Sequence, residues 1–362
     1  MASAISWAGA SFFSEFSRAA RELAVVGSWI EEIDPDSPEQ LGKAIQSSKA
    51  DDLNIWLWAH HGIAKVRGLN VVWAIFESTR LPEPYLDFLL RNSTLLWVPS
   101  AWGRDVLLAH GVSADRVDVV PEGVCSRNFH PFLREPRPVR PSPFKFMAIG
   151  KFEERKGLRQ LLEGFGQAFS AASDVELYIK ADYFLDHERK RAELEAVVKA
   201  SGLQNIRLVF GALSNADMLA LYCLADAFVF PSRAEGWGLP LIEALACGVP
   251  AITTFHSGHT EYLSSVREEV MVIDHALEPI SDPDFVRWWP SRDADHGLWA
   301  RPEPATIARC MREMIENYPL MSGRALRASE VIRERFDWSR SAAKAFQCLA
   351  DHGLMRTHIK FG

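Results

Sequence analysis

An α/β protein of two doubly wound parallel-sheet units is predicted from three observations. The 362 residues, 48% of them hydrophobic, suffice for two cores at roughly 100–200 residues per domain. Short, nearly continuous apolar runs alternate with amphipathic stretches, the pattern of parallel strands covered on both faces by helices. The alternation stops once, in PFLREPRPVRPSP, where Pro136, Pro138, Pro141 and Pro143 stiffen residues 132–143 into an extended linker, and then restarts.

Before the linker, Ala4 to Ala8 reads as a strand. Glu15 to Val26 reads as a helix with Phe16, Ala19, Ala20, Leu23 and Ala24 on one face. Leu53 to Ala59 is a dense apolar run ending in His60, His61 and Gly62, and Val71 to Phe76 is another, ending in Glu77. Leu95 to Val98 stops at Pro99-Ser100, and Val117 to Val120 stops at Pro121-Glu122-Gly123. After the linker the order is strand Lys145–Ile149, helix Gly157–Ala171, strand Val175–Ala181, helix His187–Ala200, strand Ile206–Phe210, helix Asn215–Ala225, strand Ala227–Phe230, helix Leu239–Cys247 and strand Ala251–Thr254. Residues 264–300 read as irregular, followed by helices Pro304–Tyr318 and Met321–Arg335. Phe336-Asp337-Trp338-Ser339 opens a last helix running to about Leu354, with Ser339 as its expected N-cap.

With 40 Lys and Arg against 47 Asp and Glu, the net charge of −7 argues against a nucleic-acid-coating surface. Cys125, Cys223, Cys247, Cys310 and Cys348 include no CxxC pair and no His at ligand spacing, so neither a disulfide framework nor a zinc site is encoded. A reducing, cytoplasmic compartment is expected. The stretch Ile5 to Phe13 is interrupted by Ser6, Gly9 and Ser11 and does not read as a signal peptide. No run approaches the ~18 apolar residues of a membrane span.

In open parallel sheets ligands bind beyond the carboxyl ends of the strands, so the segments after each apolar run carry the candidates. After strand Lys145–Ile149 comes Gly150-Lys151-Phe152-Glu153-Glu154-Arg155-Lys156-Gly157 and then a helix. Lys145, Lys151, Arg155, Lys156 and Arg159 beside a helix start form an anion site suited to phosphate, or else a solvated charged turn. After strand Ala227–Phe230 comes Pro231-Ser232-Arg233-Ala234-Glu235-Gly236-Trp237-Gly238-Leu239-Pro240, which leads into a helix carrying Glu243 and ending at Gly248. Two glycines let the backbone approach a ligand, and Pro240 suits a first helical turn. Glu235 and Glu243 lie at most ~12 Å apart at helical rise and can grip different parts of one ligand through its hydroxyls.

The chain resembles a retaining glycosyltransferase of family 4, a group 1 glycosyltransferase. The resemblance rests on VPSAWGRDVLLAHGV (98–112), VDVVPEGV (117–124), AIGKFEERKGLRQLLEGF (148–165), LVFGALSNADMLALYCLADAFVFPSRAEGWGLPLIEALACGVPAI (208–252), SGHTEYL (257–263) and FDWSRSA (336–342). It implies the GT-B fold, two Rossmann-like domains facing across a cleft: residues 1–135, completed by a C-terminal helix 338–362, on the acceptor side, and 144–337 binding the nucleotide sugar. It implies that Glu243 accepts from the ribose hydroxyls and that Glu235 sits by the donor sugar. The backbone of Gly236, Trp237, Gly238 and Leu239 would bind sugar and phosphate, Lys156 and Lys151 would neutralise the diphosphate, and Gly211 would lie near the base.

Three positions depart from the family. Lys151 stands where Arg is usual, which replaces a bidentate fork with a point charge. Only Gly9 answers to a pair of glycines after the first strand. Glu77 occupies a position where many members have a catalytic-site His, so Glu77, or His60 or His61, is the acceptor-side candidate. The implied partners are a nucleotide-diphosphate sugar and a glycan or lipid-linked acceptor, with no metal or other cofactor. A peripheral membrane contact would use Trp7, Phe12, Phe13 and Phe16, for which core packing is the alternative. The alternative function is a catalytically silent sugar-nucleotide-binding or assembly subunit.

Overall fold

A computed structural model describes residues 7–23, 29–34, 36–131, 139–170, 173–182, 186–287, 295–355 and 358–361. Its strands, in chain order, are β1 Trp29–Glu32, β2 Leu53–Leu57, β3 Leu69–Trp73, β4 Leu95–Val98, β5 Val117–Val119, β6 Phe144–Ile149, β7 Val175–Lys180, β8 Ile206–Val209, β9 Ala227–Phe230, β10 Ala251–Thr254, β11 Met271–Ile273, β12 His275–Pro279, β13 Leu298–Pro302 and β14 His358–Phe361. The chain divides into two compact units. Unit 1 comprises 1–123, 285–297 and 336–362, and unit 2 comprises 124–284 and 298–335.

Unit 1 is built on a six-stranded sheet in the order β1-β14-β2-β3-β4-β5, every pair parallel. Trp56, Val72, Leu96, Val98, Leu107 and Val117 fill one face of its core. Trp73 and Trp97 meet edge to face at 5.6 Å, and Phe16 meets Trp73 at 5.1 Å, so Phe16 is a core residue and not part of a surface patch. The side chains of Trp7, Phe12 and Phe13 lie outside the described set. The expected strand Ala4–Ala8 is not borne out where it is visible: Trp7 opens a helix running to Leu23, and residues 4–6 lie outside the described residues. Gly9 therefore sits inside a helix and not in a loop after a strand, because alternating small and aromatic residues there satisfy a helical period as well as a strand's.

The last helix, Trp338–Asp351, is capped by Asp337 and not by Ser339. The Asp337 carboxylate accepts from the Ser339 backbone N–H at 2.9 Å and from the Ser339 hydroxyl at 2.7 Å. The helix is tied to the loop after β5 by the Ser341 hydroxyl donating to the Pro121 carbonyl at 2.5 Å. An Asp337→Ala chain is expected to lose about 1 kcal/mol, read as a lower denaturation midpoint with unchanged helix content away from this terminus.

Unit 2 carries the parallel order β11-β10-β9-β6-β7-β8. Phe144, Phe146, Leu177, Ile179, Val229 and Ile252 form its core with Ile307, Met311 and Met314 of the later helix Pro304–Glu316. Residues 264–300 are more regular than expected, since β12 and β13 pair antiparallel, Leu277 opposite Ala300. The five cysteines form no disulfide, and burial pushes the Cys310 and Cys348 thiols up to about 11, away from reactivity. The division between the units falls after Gly123, ahead of the proline-rich stretch. Phe129 packs edge to face on Tyr222 at 5.9 Å, which places the residues just before that stretch on unit 2. Residues 132–138 of the expected linker lie outside the described residues.

Candidate active site

Strand order reverses in unit 2 between β6 and β9: the chain winds outward through β7 and β8 on one side and through β10 and β11 on the other. At such a switch point the loops after the two central strands diverge and leave a crevice at their carboxyl ends. Here those loops are Gly150–Gly157 and Pro231–Gly238, the segments that hold Lys151, Lys156 and Glu235.

The two loops are held together by backbone contact. Gly157 has φ +66°, and a Cβ there would run into the Pro231 carbonyl oxygen, so only glycine lets the first loop lie against the second. The Arg233 N–H donates to the Arg155 carbonyl at 2.7 Å, and the Ser232 hydroxyl donates to the same carbonyl at 3.2 Å. On the far side, the turn Ser257–His259 supports the glutamate loop. The Ser257 hydroxyl accepts from the Glu235 N–H at 2.8 Å, and the Gly258 N–H donates to the Glu235 carbonyl at 2.9 Å.

Glu235 is 4% exposed, and both of its carboxylate oxygens have polar neighbours. Its Oε1 accepts from Lys156 Nζ at 2.6 Å and from the Ser232 hydroxyl at 2.5 Å, while its Oε2 faces an Arg155 guanidinium nitrogen at 3.2 Å. Burial alone would raise the carboxyl, but Lys156 and Arg155 outweigh it and hold it down at about 2. Lys156 moves down from its ordinary value, first through burial and then through the charge of Arg155 beside it. Its ammonium lies 5.9 Å from the centre of the Phe230 ring, and its stem packs against Gly150, where a Cβ would crowd it. The pair is thus a buried ion pair at a strand end, with a second cation in attendance.

Gly238, at φ +91°, caps the helix Leu239–Ala246, with Pro240 in its first turn. Its carbonyl accepts from the Tyr262 hydroxyl at 3.1 Å. Trp237 is buried edge to face on Tyr262 at 5.0 Å, so its side chain anchors the loop and its backbone is what remains for a ligand. One turn into the helix, half-buried Glu243 accepts from the Tyr222 hydroxyl at 2.7 Å on Oε2. Burial pushes the Glu243 carboxyl up to about 7, with the Tyr222 bond pulling the other way. The two glutamates therefore differ: Glu235 is fixed as an anion, whereas Glu243 changes charge near neutrality.

Lys151 lies half-buried on the same loop as Lys156. Gly211 lies on the same carboxyl edge of the sheet but beyond β8, two strands from β6, and donates its N–H to Asp182 Oδ1 at 3.1 Å. In unit 1, Glu77 is half-buried on the segment after β3, close enough to Tyr85 that its charge joins burial in raising the phenol. His60 follows β2, and its Nδ1 accepts from the Gly62 N–H at 2.9 Å to cap the short helix His61–Lys65. Its ring stacks with Trp56 and lies 4.0 Å from the His61 ring, and burial lowers its pKa. This engages Nδ1 in local structure and leaves Nε2, 3.5 Å from Asp36 Oδ1.

Sequence reasoning missed three contributors. Tyr222 lies on the helix Asn215–Leu224, and nothing in its spacing points at Glu243. Ser232 lies in the loop after β9, where its sequence position does not mark it as a partner of Glu235. Arg233 reaches the β12–β13 hairpin: its Nε donates to the Ala300 carbonyl at 3.0 Å, its guanidinium lies 5.3 Å from the Trp299 ring, and it pairs with Glu278.

Residues 130–274, which contain both loops and the Glu243 helix, match the family described as glycosyl transferases group 1. The chain is 27% identical over 239 residues to D-inositol 3-phosphate glycosyltransferase of Paenarthrobacter aurescens, covering 61% of this chain and 57% of that one. It is 25% identical over 265 residues to O-antigen chain mannosyltransferase B of Escherichia coli, covering 68% and 65%. The chain thus spans little more than half the length of the first of these, 57%. Among solved structures, a glycosyltransferase from Rickettsia africae superposes with a TM-score of 0.68 at 13% identity, covering 96% of each chain. HepE of Anabaena in complex with UDP-glucose gives 0.65 at 16% identity, covering 86% of this chain and 82% of that one. These likenesses show a GT-B fold. The match to the glycosyl transferases group 1 family thus covers the segment that holds Lys156, Glu235 and Glu243.

Proposed function

We propose that the chain is a retaining glycosyltransferase that moves a sugar from a nucleotide-diphosphate sugar to a hydroxyl of a glycan or lipid-linked acceptor, in surface polysaccharide or glycoconjugate synthesis. The observation that carries this reading is the buried Lys156–Glu235 pair at the β6/β9 switch point, with Glu243 one helical turn further on. A donor is an anion at its diphosphate and a set of hydroxyls at both ends. Lys156, Lys151 and the amides of Gly236–Leu239 match the first, and the two carboxylates match the second.

As the bond between the anomeric carbon and the diphosphate breaks, negative charge collects on the departing phosphate, and cations and amides at that point stabilise the charge more than the ground state. Glu235 faces the sugar hydroxyls and Glu243 the ribose. Glu77, or His60 or His61, serves the acceptor. The names of the relatives in Escherichia coli and Paenarthrobacter aurescens support a glycosyl group, and for the former a mannosyl group, as cargo.

Calorimetry or thermal shift with UDP-, GDP-, ADP- and dTDP-sugars tests the reading, because a ligand bound only by the native state raises its stability. Binding of none of them would sink it. The charge of Glu243 adds a pH signature. A carboxylate near 7 is mostly ionised at pH 8 and about one-tenth ionised at pH 6, so donor affinity is expected to fall by roughly tenfold over that interval. Glu243→Gln is expected to bind weakly and with a flat profile.

A further inference from the structure

The resting site poses a difficulty for its own chemistry. Lys156 is needed at the diphosphate, yet its ammonium is bound to Glu235 at 2.6 Å, and a lysine that leaves a buried carboxylate strands that charge. We propose that Arg155 is the positioning residue that holds Glu235 ionised and in place while Lys156 turns to the diphosphate. This rests on the donor-site reading above and adds to it a residue and a sequence of events.

The geometry distinguishes the two cations. The Arg155 side chain is pinned: one terminal nitrogen donates to the Ala234 carbonyl at 2.9 Å and faces Glu235 Oε2 at 3.2 Å. Its backbone carbonyl accepts from the Arg233 N–H and the Ser232 hydroxyl. Lys156, by contrast, holds Glu235 through a single flexible stem on the other oxygen, Oε1. The carboxylate thus has a fixed cation on one oxygen and a mobile one on the other. Ser232 supplies a further bond to Oε1, Ser257 fixes the Glu235 backbone N–H, and His259, on the turn beneath, is neutral, so Arg155 is the cation that stays when Lys156 moves.

Without Arg155, Lys156 becomes the sole counter-ion of Glu235 and is withheld from phosphate. The preference for a nucleoside diphosphate over its monophosphate should therefore shrink, although Arg155 touches neither. UDP against UMP and GDP against GMP, measured by calorimetry, are the probes. Arg155→Met is expected to reduce the preference by roughly tenfold or more. The added change Glu235→Gln, which frees Lys156 by removing the carboxylate's charge, is expected to restore it to the level of Glu235→Gln alone, and Arg155→Lys is expected to retain most of it. A direct phosphate contact by Arg155 would not be rescued by Glu235→Gln, and that result, or an unchanged preference in Arg155→Met, would overturn the proposal. If Arg155→Met does not fold, Arg155→Gln with and without Glu235→Gln gives the same comparison. Failure of the unsubstituted protein to bind any of these diphosphates would instead remove the donor-site reading itself.

Discussion

Lys156→Ala is expected to lower turnover of the preferred donor by ~100- to 1,000-fold while the protein stays folded. The size follows from the proposed role: a cation that meets charge developing only as the bond breaks acts on the transition state, so kcat should fall more than donor affinity. The folded state survives because Glu235 is not left alone. Arg155 remains at 3.2 Å and Ser232 at 2.5 Å, although the carboxyl should rise from about 2 once its first cation is gone. Initial-rate kinetics beside a thermal melt check both halves, and near-normal turnover would dispose of the role given to Lys156.

Gly258→Ala is expected to do the reverse, harming the fold of the site through a residue that bears no functional group. A Cβ at 258 would fall on the Gly236 carbonyl oxygen and press on the Glu235 carbonyl at 2.8 Å. All the obstructing atoms are backbone, so no side chain can swing away. Forced overpacking of this kind costs about 1–3 kcal/mol, and here the displaced segment is the one that presents the amides of Gly236–Leu239. Nucleotide affinity and denaturation midpoint should drop together. Gly323→Ala is the control: nothing lies within 4 Å of its Cβ position on the helix Tyr318–Arg335, so the change should be neutral or slightly stabilising.

The parts of this molecule that could be read from sequence are those where a local signal coincides with the fold's needs. Dense apolar runs such as Leu53–Leu57 and Ala227–Phe230 are buried on both faces and announce themselves. β1 and β14 do not, because WIEE and HIKF mix charge with apolar residues over only four positions. The β12–β13 pair stayed hidden for a similar reason, since HALEP and LWARP are each broken by a charge and a proline. In the site, the strand-ending loops made Lys156 and Glu235 visible. The cation cluster did not reveal which of its members turns inward. That choice depends on the Ala234 carbonyl, which lies 79 residues from Arg155 in the chain. Likewise the partner of Glu243 is Tyr222, on a helix whose sequence reads only as packing.

The assignment of residues 285–297 and 336–362 to unit 1 has a practical consequence for dissection of the protein. The polypeptide passes from one unit to the other four times, after 123, 284, 297 and 335, so no single cut releases either unit whole. A fragment ending at 284 would lose Ile307, Met311 and Met314 and with them one wall of its own core. Isolating unit 2 therefore calls for rejoining 284 to 298 by a short artificial turn, a splice that the neighbouring antiparallel strands β12 and β13 already favour.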